Sequence, residues 1–347
     1  MMSGAALGLL SAVLFGVSTP VAKTLLGSGV SPWLLAGLLY FGSGAGLAAA
    51  LAIRLLRGAP RPEASLRRTD IPWLLAVVLS GGVVGPVLLM FGLTTTAGSA
   101  AALLLTVEGL ATMAIAWLVF REPVGPRILA GAALIVAGAA IVAWTGPGGL
   151  SAGALLVVAA CLAWAIDNNL TRKLSSADPV QIAAVKGLVA GAVNLAIAFA
   201  SGAEMPGTAA TAAALALGLA GYGVSLVLFV LALRQVGAAR TGAYFSTAPF
   251  IGATFGVAFL GEPVTATLVV GGVLIAAGVV VHLVERHEHE HAHGAVEHDH
   301  RHVHDEHHRH AHSPADPPSE AHTHWHRHEP MIHRHPHFPD IHHRHRH

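Results

Sequence analysis

The sequence predicts an all-α protein that crosses a membrane ten times and ends in a histidine-rich tail. The chain of 347 residues is 54% hydrophobic and only 11% charged. Its apolar runs before residue 286 repeatedly exceed eighteen residues, and a helix needs about 20 such residues to cross a bilayer. All 24 histidines lie at or after position 282. The chain therefore joins two regions of different chemistry.

Breaks at glycine, proline and charged residues divide residues 1–285 into ten apolar segments. The segments are continuous runs, without the alternating polarity of membrane β-strands. A polytopic helical membrane domain is therefore predicted. Its helices cover 4–26, 32–55, 71–94, 97–119, 125–145, 151–173, 179–201, 209–233, 239–259 and 264–284.

Basic residues predict the orientation of these helices. The odd-numbered connections, such as "TTTAGS" and "TGPGGLS", contain no Lys or Arg, apart from Lys23 at the end of the first helix. Since basic connections remain on the cytoplasmic side, both termini are predicted to be cytoplasmic. The basic residues at the even-numbered connections are Arg54, Arg57, Arg61, Arg67, Arg68, Arg121, Arg127, Arg172, Lys173, Arg234 and Arg240.

The membrane region also contains a repeat. Residues 106–144, "TVEGLATMAIAWLVFREPVGPRILAGAALIVAGAAIVAW", align with residues 246–284, "STAPFIGATFGVAFLGEPVTATLVVGGVLIAAGVVVHLV", at a shift of 140 residues. Each repeat has five helices, an odd number, so the two repeats cross the membrane in opposite directions. Inverted repeats are typical of alternating-access carriers. The predicted domains are two five-helix repeats, 1–145 and 146–285, and the tail, 286–347.

Residues 1–285 resemble the EamA-type members of the drug/metabolite transporter superfamily. The resemblance rests on the five-plus-five helices, on Glu-Pro turns at Glu122-Pro123 and Glu262-Pro263, and on the opening segment "GLLSAVLFGVSTPVAKTLL". It implies a carrier of small solutes such as amino acids, nucleotides, sugars or drugs. A multi-pass protein of the bacterial cytoplasmic (inner) membrane is expected. The tail departs from the usual family pattern, so the class of solute stays open.

Glu108 is the first candidate for a transport site. It is the twelfth residue of a predicted helix of 23 residues, at a depth where a charge costs about 2.5–3.5 kcal/mol. Intramembrane acids usually face a cavity, where such a carboxylate can load and release a proton. The interpretation is a coupling site, and the alternative is a protonated Glu bonded to a neighbouring helix. Its repeat partner is Ala248, so symmetry does not dictate the acid.

The segment "WAIDNNLTRK" gives a second group of candidates. Asp167, Asn168 and Asn169 lie about one turn inside the cytoplasmic end of the sixth helix, and Lys186 lies at a similar depth on the seventh. An Asp167–Lys186 ion pair is predicted, as a gate or as a static brace. The asparagines either line the solute path or bond to Asp167. Further candidates for the solute path are Lys23, Asn194, Tyr222 and Tyr244, with snorkelling or packing as the alternative.

The tail, residues 286–347, contains 23 His, 10 Asp or Glu and 7 Arg. Such a segment buries too little apolar surface to fold by itself, so disorder is predicted. Imidazole is a good ligand for Zn, Ni, Co and Cu ions, and the alternative is a segment whose charge changes near about pH 6.5. The predicted metal ligands are His287, His289, His291, His293, His298, His300, His302, His304, His324, His326, His328, His342, His345 and His347.

The leading functional hypothesis is a secondary active transporter, with export favoured, of a small metabolite, with proton coupling as an option. The alternatives are an exporter of a Zn, Ni or Co ion or of a metal complex, and a membrane-tethered metal buffer or sensor. Expected partners are the lipid bilayer, a small solute, divalent metal ions and, as an open option, a second copy in a homodimer. The net charge of +1 gives no indication of nucleic acid binding. No cofactor is required, and no motif predicts an enzyme.

Overall fold

The structure, a computed structural model, describes residues 2–58, 66, 68–121, 124–171, 174 and 178–284. For residues 238 and 239 it describes the backbone alone. In the tail it describes the backbone of residues 288–293, 296–302, 322–328 and 331–336. The chain divides into two units, the membrane domain Met1–Val284 and the tail Glu285–His347.

Ten helices in the described part of the membrane domain are long and apolar enough to cross a membrane, as predicted. Leu118, Phe259 and Val284 are among the large apolar side chains that are more than two-thirds exposed on the outside of the bundle, where lipid would cover them. The helices are α1 (Gly4–Gly27), α2 (Pro32–Leu56), α3 (Arg68–Thr95), α4 (Gly98–Phe120), α5 (Pro126–Ala143), α6 (Ala152–Thr171), α7 (Pro179–Ala200), α8 (Thr208–Gly237), α9 (Arg240–Leu260) and α10 (Ala266–Val284).

Local sequence sets several helix ends. Pro32, Pro126 and Pro179 begin α2, α5 and α7, where the N–H that proline lacks would have no intrahelical partner. The side chains of Ser3 and Asp178 accept hydrogen bonds from backbone N–H groups in the first turns of α1 and α7. These ends follow from residues that sequence reasoning recognises.

The fourth helix of each repeat ends in the same way. Arg121 follows α4 with φ of 56°, and Gly261 follows α9 with φ of 69°. Glycine adopts this left-handed conformation freely, whereas a residue with a Cβ pays about 1–2 kcal/mol. The turn at Glu262-Pro263 comes next in the second repeat, and its counterpart Glu122-Pro123 lies outside the described residues.

Four helices are interrupted, at corresponding positions of the two repeats. A π-helical segment replaces α-helix at Val78–Val84 in α3 and at Leu219–Val224 in α8. The α-helix also breaks between Leu104 and Val107 in α4, and between Phe245 and Ala248 in α9. Such interruptions release backbone groups for other partners.

Glycines at GxxxG spacing, Gly187/Gly191 and Gly252/Gly256, allow close contact between helices. A Cβ added at Gly187 of α7 would lie 2.6 Å from Gly44 Cα of α2. A Cβ at Gly252 of α9 would lie 2.5 Å from the carbonyl oxygen of Gly16 in α1. Larger residues at these positions would therefore force the helices apart.

Four tail segments form strands: β1 (Glu288–His293), β2 (Val296–His302), β3 (His322–His328) and β4 (Met331–Pro336). β1 pairs with β4 and β2 with β3, both antiparallel. The disorder of the tail as a whole stays a prediction. Histidine alternates with other residues in these strands, and this two-residue period fits a strand even where a core is lacking.

Candidate functional site: a central cavity

A cavity of about 560 Å³ lies inside the membrane domain, a size typical of small-molecule sites. We call it the central cavity. Every helix except α3 contributes to its walls, so both repeats take part. The inner face is the side at which α1 begins and α10 ends, predicted to be cytoplasmic. The described residues that line the cavity are Phe15, Tyr40, Leu105, Thr106, Glu108, Gly109, Leu110, Ile135, Trp164, Asn168, Lys186, Gly221, Tyr222, Ser225, Leu226, Phe229, Gly242, Phe245, Ser246, Ala248, Pro249, Val279, His282 and Leu283.

The central cavity extends from the middle of the membrane domain towards the inner face. Leu105 and Glu108 lie near the middle of α4, whereas Leu283 is the penultimate residue of α10. Gly242 lies within the first turn of α9, which also begins at the inner face. The cavity therefore spans the distance between Glu108 and the inner face.

The break in α4 positions Glu108. This residue lies in the first turn of the helical segment Val107–Phe120, where the helix dipole favours a negative charge. Half-helix ends at mid-membrane serve the same purpose in carriers with inverted repeats. The backbone therefore contributes to holding a carboxylate at this depth.

Asn168 is the described hydrogen-bond partner of the Glu108 carboxylate. Its Nδ2 donates to Glu108 Oε1 at 3.0 Å and to Thr112 Oγ1 at 3.2 Å. The adjacent Asn169 points elsewhere, because its Nδ2 donates to the carbonyl oxygens of Thr112 and Ala165 at 3.1 and 2.9 Å. Asn168 thus belongs to the cavity, while Asn169 ties α6 to α4.

Asp167 and Lys186 form an ion pair, as their predicted depth suggested. Lys186 Nζ donates to Asp167 Oδ2, and Thr171 Oγ1 donates to Asp167 Oδ1 at 3.3 Å. The two charged side chains are 6% and 18% exposed. Gly81 makes the pair possible, since a Cβ there would lie 2.0 Å from Asp167 Oδ2.

The π-helical segment of α3 is held by side chains from three other helices. Tyr40 Oη and Trp164 Nε1 donate to the carbonyl oxygen of Gly81 at 2.6 and 2.9 Å. Asn194 Nδ2 donates to the carbonyl oxygen of Gly82 at 3.0 Å. These bonds satisfy carbonyls that a regular helix would use internally. They also fix two aromatic rings in the wall of the central cavity.

Five aromatic rings follow one another along the cavity wall. Tyr40 and Tyr222 have centroids 5.7 Å apart, and Tyr222 lies 6.0 Å from Phe15. Phe15 is 5.3 Å from Phe245, which is 5.1 Å from Phe229. All five rings line the cavity. The wall therefore combines a large apolar surface with ring faces that attract cations.

Comparison with known proteins decides the family. The EamA-like transporter family matches residues 2–144 and, a second time, residues 151–284. The chain belongs to the EamA-like transporter family. It is thereby a member of the drug/metabolite transporter superfamily and a membrane transporter, not an enzyme.

Two individual proteins are similar to this EamA-like transporter. An uncharacterized transporter of Methanothermobacter thermautotrophicus is 29% identical over 282 residues, which cover 77% of this chain and 82% of the relative. A solved crystal structure with 20% sequence identity has a TM-score of 0.59 and covers 81% of this chain and 96% of its own. At that identity the second likeness shows a shared fold alone.

Two charged residues bind one connection on the predicted outer side of this EamA-like transporter. Lys23 Nζ donates to the carbonyl oxygens of Leu93 and Thr94 at the end of α3. Both carboxylate oxygens of Glu262 accept from the first two N–H groups of α4, at 2.7 Å each. Each charge meets the helix end of opposite polarity. The connection between α3 and α4 is therefore bound by one residue from each repeat, Lys23 from the first and Glu262 from the second.

The predicted site residues fall into two groups. Glu108, Asn168, Lys186 and Tyr222 line the central cavity, and Asp167 contacts it through Lys186. The remaining candidates are not among the cavity residues in the described part of the chain. Asn169 and Asn194 are bound to backbone carbonyls, Lys23 holds the outer connection, and Tyr244 packs 3.1 Å from the Cβ position of Gly8.

Sequence reasoning missed most of the aromatic wall and His282. The chain has only 3 Tyr, 6 Trp and 11 Phe, so aromatic residues near the middle of a predicted span were a usable signal. Tyr40 and Trp164 satisfied that criterion. His282 lies at the inner end of the cavity, and its Nε2 is 2.8 Å from the carbonyl oxygen of Ile128.

The predicted metal ligands lie in the tail and remain predictions. Among the residues whose side chains are described, no group of three or more His, Cys, Asp or Glu is placed to hold a metal ion. His289, His291, His293, His298, His300, His302, His324, His326 and His328 lie in the described strands, whereas His287, His304, His342, His345 and His347 lie outside the described residues.

Proposed function

We propose that this EamA-like transporter is a secondary active carrier that exports a small organic metabolite by alternating access. The observation that carries the proposal is the central cavity, which has walls from both inverted repeats and contains the carboxylate of Glu108. The contacts of Lys23 and Glu262 at the outer end fit a state that receives cargo from the inner face. A carrier in this state would load its solute in the cytoplasm.

Proton coupling at Glu108 extends the proposal. In the described part of the chain Glu108 has an amide partner, and the nearby Lys186 is paired with Asp167. An uncompensated charge at this depth costs about 2.5–3.5 kcal/mol, so a proton or a cationic solute stabilises the site. Competition of the two for one carboxylate couples their movements. The other titratable groups that line the cavity are Tyr40, Tyr222 and His282.

The first experiment compares cells that express the full chain, Glu108→Gln or Glu204→Gln. Glu204 is exposed on the connection between α7 and α8, so it provides the same chemical change away from the cavity. We expect at least one small organic metabolite to accumulate in the medium with the full chain and with Glu204→Gln, but not with Glu108→Gln. If the culture media of all three strains contain the same amounts of every metabolite, export through this cavity is contradicted.

Metal content of the same cells tests the metal hypotheses. The cavity offers one carboxylate, one amide and one imidazole, which lie on three different helices, whereas zinc, nickel and copper usually take several imidazole or thiolate ligands. An organic cargo therefore fits better than a bare ion. Lower cellular Zn, Ni or Co with the full chain but not with Glu108→Gln would instead identify a metal or its complex as cargo.

We propose that the tail binds divalent transition metals, as a separate property of the chain. Backbone register supports this proposal. In the β1–β4 pair, His289 is opposite His335 and His291 is opposite His333. In the β2–β3 pair, the opposite positions are His298 and His326, His300 and His324, and His302 and His322. Opposite and alternating positions share one side of an antiparallel pair, so the backbone register groups the histidine positions of each pair.

Two further properties stay predictions. The family supports a multi-pass membrane protein, while a bacterial cytoplasmic membrane is an expectation from the sequence. A homodimer is a further expectation, which the mass of the purified protein in detergent would test.

A further inference from the structure

The charges that face the central cavity do not balance. Lys186 is held by Asp167, so this pair contributes no net charge. Glu108 is bonded to the neutral amide of Asn168, and its carboxylate has no described ion-pair partner. His282, at the inner end, is engaged by the carbonyl oxygen of Ile128. When Glu108 is ionised, the middle of the cavity therefore carries one uncompensated negative charge.

The surface around this charge is aromatic. The rings of Tyr40, Tyr222, Phe15, Phe245 and Phe229 form one chain, with successive centroids 5.1 to 6.0 Å apart. A cation over a ring face is attracted by the electrons of the ring, more strongly where water is excluded. The same rings bind the apolar body of a small molecule. Carboxylate and rings together suit a ligand that is both cationic and apolar.

An anionic group finds no equivalent partner in the described cavity. Lys186 is the only Lys or Arg among the described residues that line the cavity, and Asp167 already occupies its ammonium group. A solute with its own carboxylate would have to displace Asp167 or remain unpaired, and both cost free energy at this depth. The site thus discriminates against zwitterions and anions with the same apolar body.

We propose that the solute of the central cavity is an organic monocation: an ammonium group on an apolar or aromatic body, without a carboxylate. Its ammonium group binds between Glu108 and the ring faces of Tyr40 and Tyr222. Its body packs against Phe15 and Phe245. This inference rests on the proposed carrier function and names the class of its solute.

Three probes with one phenyl group and different charges test the inference. They are 2-phenylethylammonium, a cation; phenylalanine, a zwitterion; and 3-phenylpropanoate, an anion. Binding to the purified full chain is measured by titration calorimetry at one pH. We expect the cation to bind about ten- to a hundredfold more tightly than the other two. This ratio of affinities corresponds to the contribution of one hydrogen bond to a charged group. The preference should disappear in Glu108→Gln and persist in Glu204→Gln.

Thermal unfolding in detergent shows which variants are folded. Should Glu108→Gln unfold, Glu108→Asp, which keeps the charge, is expected to retain the order of the three probes with a smaller difference. Tyr222→Leu is expected to reduce the ratio of cation to anion affinity.

Several results would overturn the inference: equal or tighter binding of phenylalanine or 3-phenylpropanoate, a cation preference that survives Glu108→Gln, or no binding of 2-phenylethylammonium to the folded full chain. The comparison of metabolites released into the culture medium is independent of these binding results. Release of a carboxylate-bearing metabolite that depends on Glu108 would refute the solute class and leave the carrier function standing.

Discussion

Two acidic residues near the central cavity have opposite electrostatic surroundings. Asp167 is almost fully buried and has Lys186 as its counter-charge. Glu108 faces the cavity and has the amide of Asn168, together with the N-terminal end of a half-helix. The charge of Asp167 is compensated and therefore stable without a ligand. The charge of Glu108 would be stabilised by a proton or a cationic solute. This difference in partners distinguishes Glu108, the proposed coupling acid, from Asp167.

The ion pair predicts a specific pattern of stability. Asp167→Asn leaves Lys186 without its partner, and Lys186→Met leaves Asp167 without its own, so each single change should cost about 3–5 kcal/mol. Asp167→Asn combined with Lys186→Met leaves no buried charge and should recover most of that loss. The measurement is the unfolding temperature of the three variants in detergent. A double variant as unstable as the sum of the singles would argue against direct pairing.

Transport by the double variant distinguishes the two predicted roles of the pair. A brace acts only through stability, so a folded double variant should transport at the rate of the unaltered chain. A gate must break and re-form during the cycle, so the double variant would be stable but slow.

Two helix ends on the predicted outer side bind charged side chains. Lys23, a cation near the end of α1, was a candidate for the solute path. Its ammonium group instead binds the carbonyl end of α3. Glu262 meets the N–H end of α4 on the other side of the same short connection. Lys23 belongs to the same repeat as this connection, whereas Glu262 comes from the other repeat, so the Glu262 contact joins the two repeats there.

Glu262→Gln should weaken the contact between residue 262 and the start of α4, and so make opening on the outer side easier. A glutamine has one acceptor oxygen where the carboxylate has two, and it lacks the charge that the start of α4 favours. With Cys161→Ala removing the native thiol, Ser246→Cys reports access to the cavity. We expect a membrane-impermeant thiol reagent, added from outside, to react up to about tenfold faster in Glu262→Gln.

The matched control for this labelling is Glu204→Gln, which removes a carboxylate from the same outer face. Its labelling rate should equal that of the Ser246→Cys protein alone. If Glu262→Gln also leaves the rate unchanged, the contact does not hold the outer side closed.

The elements themselves were largely predictable, while their interruptions were not. Apolar length and basic connections located all ten spans, and Pro32 or Pro179 marked where helices begin. The π-helical segments are different, since their carbonyls are stabilised by side chains from distant helices, such as Tyr40 and Trp164 at Gly81. Hydropathy contains no information about that pairing. Sequence reasoning therefore placed Glu108 near the middle of its helix but could not place the aromatic wall around it.

At the scale of the whole molecule, a nearly symmetric scaffold surrounds an asymmetric site. Interruptions and helix ends recur in both repeats, as at Arg121 and Gly261. The chemistry does not recur, because Ala248 and Pro249 occupy the second-repeat positions that correspond to Glu108 and its neighbour. In the proposed carrier, the symmetric scaffold would allow movement between two states, and the single carboxylate would bind one charged group at a time.

Removal of the tail tests whether transport and metal binding are separate properties. A chain that ends at Glu285 keeps every residue that lines the central cavity and lacks 23 of the 24 histidines. We expect the purified, shortened protein to lose nearly all bound Ni and Zn, measured by mass spectrometry of the metals, because neutral imidazoles supply the ligands. Glu108-dependent release of the metabolite should continue. A folded, shortened protein that retains the metal would refute the tail as its binding site, and one that no longer releases the metabolite would make the tail part of the transport cycle.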